Sequence, residues 1–178
     1  MKGARQLTDE EIRKVALSFN GRYVIRNRAL FILGLACGGR ISELLSLNIG
    51  DVWQYGKPVD IIYFKKANTK GKHQGKAVPI KQAAKEAIFE LITWYHTQWD
   101  TVTNDMPLFS SQKGGRITRQ QAHDILKDAF LKAEIQGKVS THSLRKTYAN
   151  KLLKQGGNLH TVKEALGHTS IATTQEYL

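Results

Sequence analysis

The chain contains a single cysteine, Cys37, among its 178 residues. One thiol can form neither an intrachain disulfide framework nor a cluster of thiolate metal ligands. Cys37 ends the apolar stretch 29–37, where a small buried residue is expected and a reactive nucleophile is not. That stretch is too short to span a bilayer and is interrupted by Gly34. The first residues turn acidic before any apolar run, which is unlike a secretory signal and indicates a cytoplasmic protein.

The sequence also lacks the patterns of several common catalytic sites. Metal-dependent nucleases need clustered carboxylates, whereas Asp124 and Asp128 form only an i, i+4 pair, which is typical of a solvated helix face. No Walker-type phosphate loop is present. Four histidines show no metal-ligand spacing with cysteines or acids: His73, His96, His123 and His160. We therefore expect neither a metal nor another cofactor.

Acidic residues are few, since 15 Asp and Glu stand against 27 Lys and Arg, for a net charge of +12. Such an excess repels itself unless a polyanion is the partner, so nucleic acid is the favoured ligand. The cations are spread along the chain and do not mark one basic amphipathic helix, which disfavours a membrane-surface role. A hydrophobic fraction of 41% is enough to build a core.

The periodicity of apolar residues predicts one mainly helical domain that carries a small antiparallel sheet, an α+β fold. Thr8, followed by three acids, predicts the start of the first helix. Further helices are predicted at about 23–36, 41–47, 82–98, 118–132, 141–154, 159–166 and 171–177. Residues rich in β-branched and aromatic side chains predict strands at 59–64 and 76–80, joined by a turn rich in Lys and Gly.

The segment THSLRKTYA, residues 141–149, carries His142 and Arg145 at i, i+3 spacing on a predicted helix. This spacing puts both side chains on one face, where we expect them together at the surface. Leu144, Tyr148 and Leu152 recur at i+4 and are expected to face the core. The pair suits a phosphodiester, because Arg binds two phosphate oxygens and His moves a proton near neutral pH.

A second block, CGGRISELLSL at residues 37–47, places Arg40 directly after two glycines. The glycines free the backbone, so that Arg40 can project from the start of a helix. Glu43, one turn on, is positioned to orient it. Taken alone, Arg40 fits a surface residue better than a phosphate ligand.

A third block, LGHTSIATTQEYL at residues 166–178, contains a predicted helix end at Gly167 and a cap at Ser170. That junction exposes His168, and Tyr177 follows two turns later. A phenol has a pKa of about 10, well below that of a sugar hydroxyl. A phosphotyrosine bond is therefore reactive enough to be reversed by a DNA hydroxyl without ATP.

The blocks GGRISELLSL, THSLRKTYANKLL and LGHTSIATTQEYL resemble, in order and approximate separation, the motifs of the tyrosine recombinase family. This family includes phage integrases and chromosome-dimer resolvases, and the resemblance spans about residues 7–178. It implies the tyrosine recombinase catalytic-domain fold. It also implies a site-specific DNA recombinase that cleaves and rejoins double-stranded DNA through a 3′-phosphotyrosine intermediate, without metal or ATP, in the cytoplasm at the nucleoid.

The resemblance also implies a role for each matching residue. Arg40 and Arg145 match the catalytic arginines, which neutralise charge on the scissile phosphate. His142 matches a histidine that activates or positions the tyrosine. His168 matches a second histidine that hydrogen-bonds a phosphate oxygen. Tyr177 matches the nucleophile.

The family uses a lysine in a turn between two strands as general acid for the leaving 5′-oxygen. The order Thr-Lys-Gly before Val-Pro-Ile points to Lys70, and Lys72 is the alternative because the length of the turn varies. Lysines in this turn that are not catalytic are expected to contact the DNA backbone. Arg116 and Arg119, at a predicted helix start, are candidates for binding a DNA phosphate, with a plain surface role equally open.

The sequence departs from the family pattern at both ends. Few residues precede the catalytic block, so we expect residues 1–178 to form one catalytic domain without the usual N-terminal core-binding domain. Family members self-associate on DNA as tetramers, and their chains usually continue past the tyrosine into a segment that docks on a neighbouring subunit. We expect this chain to self-associate on DNA as well, whereas its assembly into a tetramer stays open because this sequence stops at Leu178. Two alternatives stay open, a non-catalytic DNA-binding module and a DNA-relaxing enzyme like type IB topoisomerases.

Overall fold

A computed structural model describes residues 3–65, 75–168 and 170–177 of the chain. Within these ranges the elements are α1 (Asp9–Ser18), α2 (Val24–Cys37), α3 (Ile41–Leu45), α4 (Ile49–Val52), β1 (Trp53–Gln54), β2 (Lys57–Pro58), β3 (Ile61–Phe64), β4 (Lys76–Pro79), α5 (Gln82–Gln98), α6 (Arg119–Lys132), α7 (Thr141–Lys154), α8 (Leu159–Leu166) and α9 (Ile171–Tyr177). The predicted class, mainly helical with a small antiparallel sheet, is confirmed.

Helix ends follow the chemistry of their capping residues. Thr8 caps α1, since its hydroxyl accepts from the Glu11 amide at 3.2 Å while the Glu11 carboxylate accepts from the Thr8 amide at 2.8 Å. α2 and α8 both end at a glycine in the left-handed conformation, Gly38 and Gly167. Ser170 accepts from the amide of Ala172, as expected of the residue that opens α9.

The predicted hairpin is present as β3 and β4, which pair antiparallel with Ile62 opposite Val78 and Phe64 opposite Lys76. The first strand begins at Ile61, two residues later than predicted, and α3 ends at Leu45 instead of at residue 47. The short helix α4 and the β1–β2 hairpin were not predicted.

The helix α2 lies at the centre of the molecule and packs against α5 and α7. Its side chains Leu30, Phe31 and Leu33 are fully buried. Cys37, the last residue of α2, is also fully buried, and burial raises its pKa to about 12. The prediction of a structural, unreactive thiol is thus confirmed. In the described part of the chain, no helix combines the length and the apolar character needed to cross a membrane.

Candidate active site

Arg145, on the first half of α7, is the most deeply placed charged side chain of the motifs, with 3% of its surface exposed. Its Nη1 donates to the carbonyl of Gly38 at 2.6 Å, and its Nη2 donates to the carbonyl of Leu166 at 2.7 Å. One guanidinium therefore joins the segment just before Arg40 to the segment just before His168. The prediction that Arg145 lies at the surface was wrong, because helical spacing fixes the face of a residue and not its depth.

Arg40 precedes α3 and is held by a single carboxylate. Its Nη1 donates to Glu43 Oε1 at 2.9 Å, and its backbone amide donates to Glu43 Oε2 at 2.8 Å. The Arg40 side chain is 41% exposed, whereas that of Glu43 is 16% exposed. Glu43 thus orients Arg40 as predicted, and the guanidinium stays accessible to an anion.

His168 lies in the junction between α8 and α9 and is partly buried. Its Nδ1 is 3.0 Å from the hydroxyl oxygen of Thr174, a fully buried residue of α9. Thr174 lies three residues before Tyr177, whose backbone ends the same helix. The contact therefore couples the imidazole to the helix that carries the tyrosine.

His142 occupies the first turn of α7 and is exposed. Ser140 caps this helix, and its hydroxyl accepts from the backbone amide of His142 at 3.2 Å. Of the residues expected to face the core, Leu144 is buried, while Tyr148 and Leu152 are half-buried. His142 and Arg145 thus leave one helix at different depths, the imidazole at the surface and the guanidinium inside.

Lys76, the first residue of β4, is a charged group of this region that the sequence interpretation missed. Its side chain is 11% exposed, and its Nζ lies 3.6 Å from Glu43 Oε2. The Nζ also lies 3.5 Å from the carbonyl oxygen of Ala165 in α8. A signal was available: strand alternation puts Lys76 on the same face as the buried Val78 and Ile80.

The charges of this cluster alter one another's protonation. Burial lowers the pKa of Lys76 to about 8, with Arg145 adding to the effect and Glu43 opposing it. Burial favours the neutral form of Glu43, but the charge of Lys76 and the hydrogen bonds from Arg40 outweigh it and lower the pKa of Glu43. The carboxylate is therefore ionised at neutral pH and keeps its cationic neighbours in place.

The remaining predicted residues either make no described contact with the side chains of Arg40, Glu43, Lys76 and Arg145 or fall outside the described ranges. Lys70 and Lys72 fall in residues 66–74, which the structure does not describe. Arg116 donates through Nη1 to the carbonyls of Leu45 and Leu47 and through Nη2 to Asn48. Arg119 is exposed in the first turn of α6. Both arginines stay predictions as DNA contacts.

The acids considered for a metal site are placed as predicted. Asp124 and Asp128 are exposed on α6, and Asp128 pairs with Lys132 one turn on. Among the residues described, three or more His, Cys, Asp or Glu side chains are nowhere grouped as metal ligands.

The sequence matches the phage integrase family over residues 5–178. The chain belongs to this family. Two curated relatives illustrate the match. The tyrosine recombinase XerD of Oceanobacillus iheyensis is 35% identical over 170 residues, which cover 95% of this chain and 55% of the relative. The tyrosine recombinase XerC of Halalkalibacterium halodurans is 33% identical over 193 residues, which cover 99% of this chain and 59% of the relative.

Solved structures agree with this membership. The XerA recombinase superposes with a TM-score of 0.79 at 26% identity, covering 98% of this integrase-family chain and 60% of that protein. The XerH site-specific recombinase, bound to its difH substrate in a pre-cleavage complex, superposes with a TM-score of 0.77 at 28% identity. The match covers 100% of this chain and 51% of the XerH chain. The expected tyrosine recombinase catalytic-domain fold is confirmed. The chain spans about half the length of the curated relatives it matches.

Proposed function

We propose that this chain is the catalytic part of a site-specific DNA recombinase that cleaves and rejoins strands through a 3′-phosphotyrosine intermediate. One observation carries the proposal: the buried guanidinium of Arg145 joins the segments that precede Arg40 and His168. Arg145 thereby binds the backbone of two other blocks, one 107 residues before it in the sequence and one 21 residues after it. The names of the relatives, which are tyrosine recombinases, support the same reaction.

The proposed reaction exchanges one phosphodiester for another. The phenolic oxygen of Tyr177 attacks the scissile phosphorus and loses its proton, with His142 activating or positioning it. The bond from phosphorus to the 5′-oxygen breaks, and that oxygen takes up a proton. A 5′-hydroxyl from a second strand later attacks the phosphotyrosine and releases the phenol. Because each step conserves one phosphate ester, the reaction needs no ATP.

The two arginines supply the electrostatic part of this proposal. Arg40 is accessible and Arg145 is buried, so phosphate charge is met by one cation at the surface and one held beneath it. Preorganised cations in a partly dehydrated site stabilise the charge that develops on phosphate oxygens. His168, braced by Thr174, is proposed to donate a hydrogen bond to one of these oxygens.

The remaining assignments complete the proposal. Lys70 is proposed as the general acid for the leaving 5′-oxygen, with Lys72 as the alternative. Lys72, Arg116 and Arg119 are proposed to contact the DNA backbone. The proposed partner is double-stranded DNA, in agreement with the structure of the XerH site-specific recombinase bound to its difH substrate. We propose that residues 1–178 act as one catalytic domain in the cytoplasm, at the nucleoid, and self-associate on DNA.

Covalent trapping tests this function directly. Wild-type protein and Tyr177→Phe are incubated with a fragment library of the source genome, quenched with detergent, and any DNA that stays attached is sequenced. We expect adducts at defined sites with the wild type and none with the Phe variant, which lacks only the attacking oxygen. The adducts would also identify the target sequence.

Other outcomes of this experiment have distinct meanings. Adducts scattered without sequence preference, together with plasmid relaxation, would indicate a topoisomerase-like enzyme. Adducts retained by Tyr177→Phe would assign the nucleophile to another residue. DNA binding without adducts, even after a core-binding domain is fused in front, would identify a non-catalytic binding module.

A further inference from the structure

The buried ammonium of Lys76 connects three elements that carry parts of the proposed active site. Lys76 is the first residue of β4 and follows, in sequence, the segment 66–74 that contains Lys70 and Lys72. Its Nζ lies 3.6 Å from Glu43 Oε2 in α3 and 3.5 Å from the Ala165 carbonyl in α8. It also lies 5.1 Å from the centre of the Phe64 ring on β3, which covers it.

We propose that Lys76 is a positioning residue, which holds Arg40 through Glu43 and holds the end of α8 ahead of His168 through the Ala165 carbonyl. This inference rests on the proposed function of the site. Lys76 acts through other residues and does not itself contact the scissile phosphate.

The two carboxylate oxygens of Glu43 have different partners, which supports this role of Lys76. Its Oε1 accepts from Arg40 Nη1 at 2.9 Å, while its Oε2 accepts from the Arg40 amide at 2.8 Å and faces Lys76. The carboxylate is therefore fixed from two sides. Without Lys76, Glu43 would keep its contacts with Arg40 and the electrostatic attraction of Arg145, and it would compete more strongly with the DNA phosphate for the Arg40 guanidinium.

The net charge of the cluster around Glu43 also supports a role for Lys76. Arg40, Arg145 and Lys76 are three cations, and Glu43 is one carboxylate, so the cluster carries two net positive charges. A phosphodiester has one negative charge and gains a second as the nucleophile adds. Removing Lys76 would lower the net charge of this cluster by one, and the charge of the transition state would be less well stabilised.

The placement of Lys76 separates it from the general acid. Its Nζ is buried and directed at Glu43 and Ala165, whereas a general acid has to reach the 5′-oxygen of bound DNA. Its contacts instead join the start of β4 to α3 and α8.

The test uses the target site found by covalent trapping, in two versions of the DNA. One has the natural 5′-bridging oxygen at the scissile phosphate, and the other has sulfur there, a leaving group that needs no proton. The variants are Lys76→Met, Lys76→Arg and the control Lys132→Met. Lys132 is an ion-paired lysine at the opposite end of α6 from Arg119. DNA affinity and the single-turnover rate of adduct formation are measured separately.

We expect Lys76→Met to form adducts 10- to 100-fold more slowly than the wild type, roughly one to two powers of ten for a lost preorganising charge, with DNA affinity changed less than about threefold. The defect is expected to be equal on the oxygen and sulfur substrates. Lys76→Arg is expected to restore most of the rate, because arginine keeps the charge and can pair with Glu43. Lys132→Met is expected to behave like the wild type.

Two results would overturn the inference. Wild-type rates in Lys76→Met would show that Glu43 and Arg40 need no second cation. Rescue of Lys76→Met by the sulfur substrate would identify Lys76 as the general acid itself. If Lys76→Met does not fold, Lys76→Gln carries the same expectations. Absence of adducts with the wild type would count against the proposed function and not against this inference.

Discussion

At the scale of single residues, the burial of Arg145 needs an explanation, because a charge removed from water is costly. Its two carbonyl partners belong to Gly38, which ends α2, and Leu166, which ends α8. The carboxyl ends of helices carry partial negative charge, so the guanidinium lies between two favourable dipoles. The same contacts that stabilise the cation bring the active-site segments together.

The variant Arg145→Lys tests whether the two hydrogen bonds of this guanidinium are needed for stability and for adduct formation. Lysine keeps the charge, but its single ammonium lacks the planar fork that spans two carbonyls. We expect the free energy of unfolding to fall by about 2–3 kcal/mol, measured by urea denaturation, and adduct formation to fall at least about 100-fold. The control Arg119→Lys alters an exposed arginine and is expected to change stability by less than about 0.5 kcal/mol.

An unchanged free energy of unfolding in Arg145→Lys would show that the loss of one hydrogen bond, to the carbonyl of Gly38 or of Leu166, does not affect stability. Full activity combined with lower stability would restrict Arg145 to a structural role.

The sequence predicted only part of the geometry of the candidate site residues. The spacing of Arg40 and Glu43 correctly indicated that the carboxylate orients the guanidinium. The i, i+3 spacing of His142 and Arg145 gave their face but not their depth, because depth depends on which helices cover that face. Lys76 was missed because one lysine in a Lys-rich segment stands out only when the strand register is known.

At the scale of elements, the close approach of α2 and α7 sets the position of Arg145. Gly38 ends α2 with φ of +55°, and a Cβ built there would lie 2.1 Å from Cδ1 of Tyr148 in α7. A side chain at residue 38 would therefore push the Tyr148 ring, and with it α7, away from the carbonyl that Arg145 contacts.

Substitution of this glycine is expected to damage both stability and activity. Gly38→Ala adds the strain of a left-handed residue and an overpacked contact, which together cost about 2–5 kcal/mol. Gly56, the control position, has φ of +75°, and nothing lies within 4 Å of a Cβ added there. Gly56→Ala is therefore expected to lower the free energy of unfolding through backbone strain alone, by about 1–2 kcal/mol. Thermal or urea unfolding of both variants isolates the packing contribution. Equal losses in the two variants would refute the close approach.

Four helices were predicted to the residue, whereas the shortest elements were not. The bounds of α5, α7, α8 and α9 match the predicted ranges, because each helix has at least seven residues, enough for a helical pattern to be recognised. α4 and the β1–β2 hairpin contain too few residues for a helical or strand pattern of apolar residues to be recognised in the sequence. Tertiary hydrogen bonds fix the α4 region instead, from the Ile49 amide to Met106 and from the Leu108 amide to Leu47.

At the scale of the whole molecule, the net charge of +12 favours binding to the proposed partner, DNA. Several acids are already engaged in intramolecular ion pairs, such as Asp9 with Lys151 and Glu10 with Lys14. Anionic groups that would oppose DNA are thereby partly neutralised by the protein's own cations. The long-range attraction is independent of DNA sequence, so specificity has to come from base contacts or DNA shape.

Affinity of this chain for DNA should therefore depend steeply on salt. If five or more phosphates are contacted, the logarithm of the binding constant falls with the logarithm of salt concentration with a slope of about −4.5 or steeper. A rise from 50 to 200 mM salt then weakens binding at least about 500-fold, which fluorescence anisotropy with a short duplex can follow.

A phosphate contact by Arg119 predicts that Arg119→Gln lowers the slope by about one unit, whereas Lys132→Gln leaves it unchanged. A wild-type slope near zero would contradict a polyanionic partner, and an unchanged slope in Arg119→Gln would remove the first turn of α6 from the DNA interface. The slope thus separates the charge of the molecule from the contacts that use it.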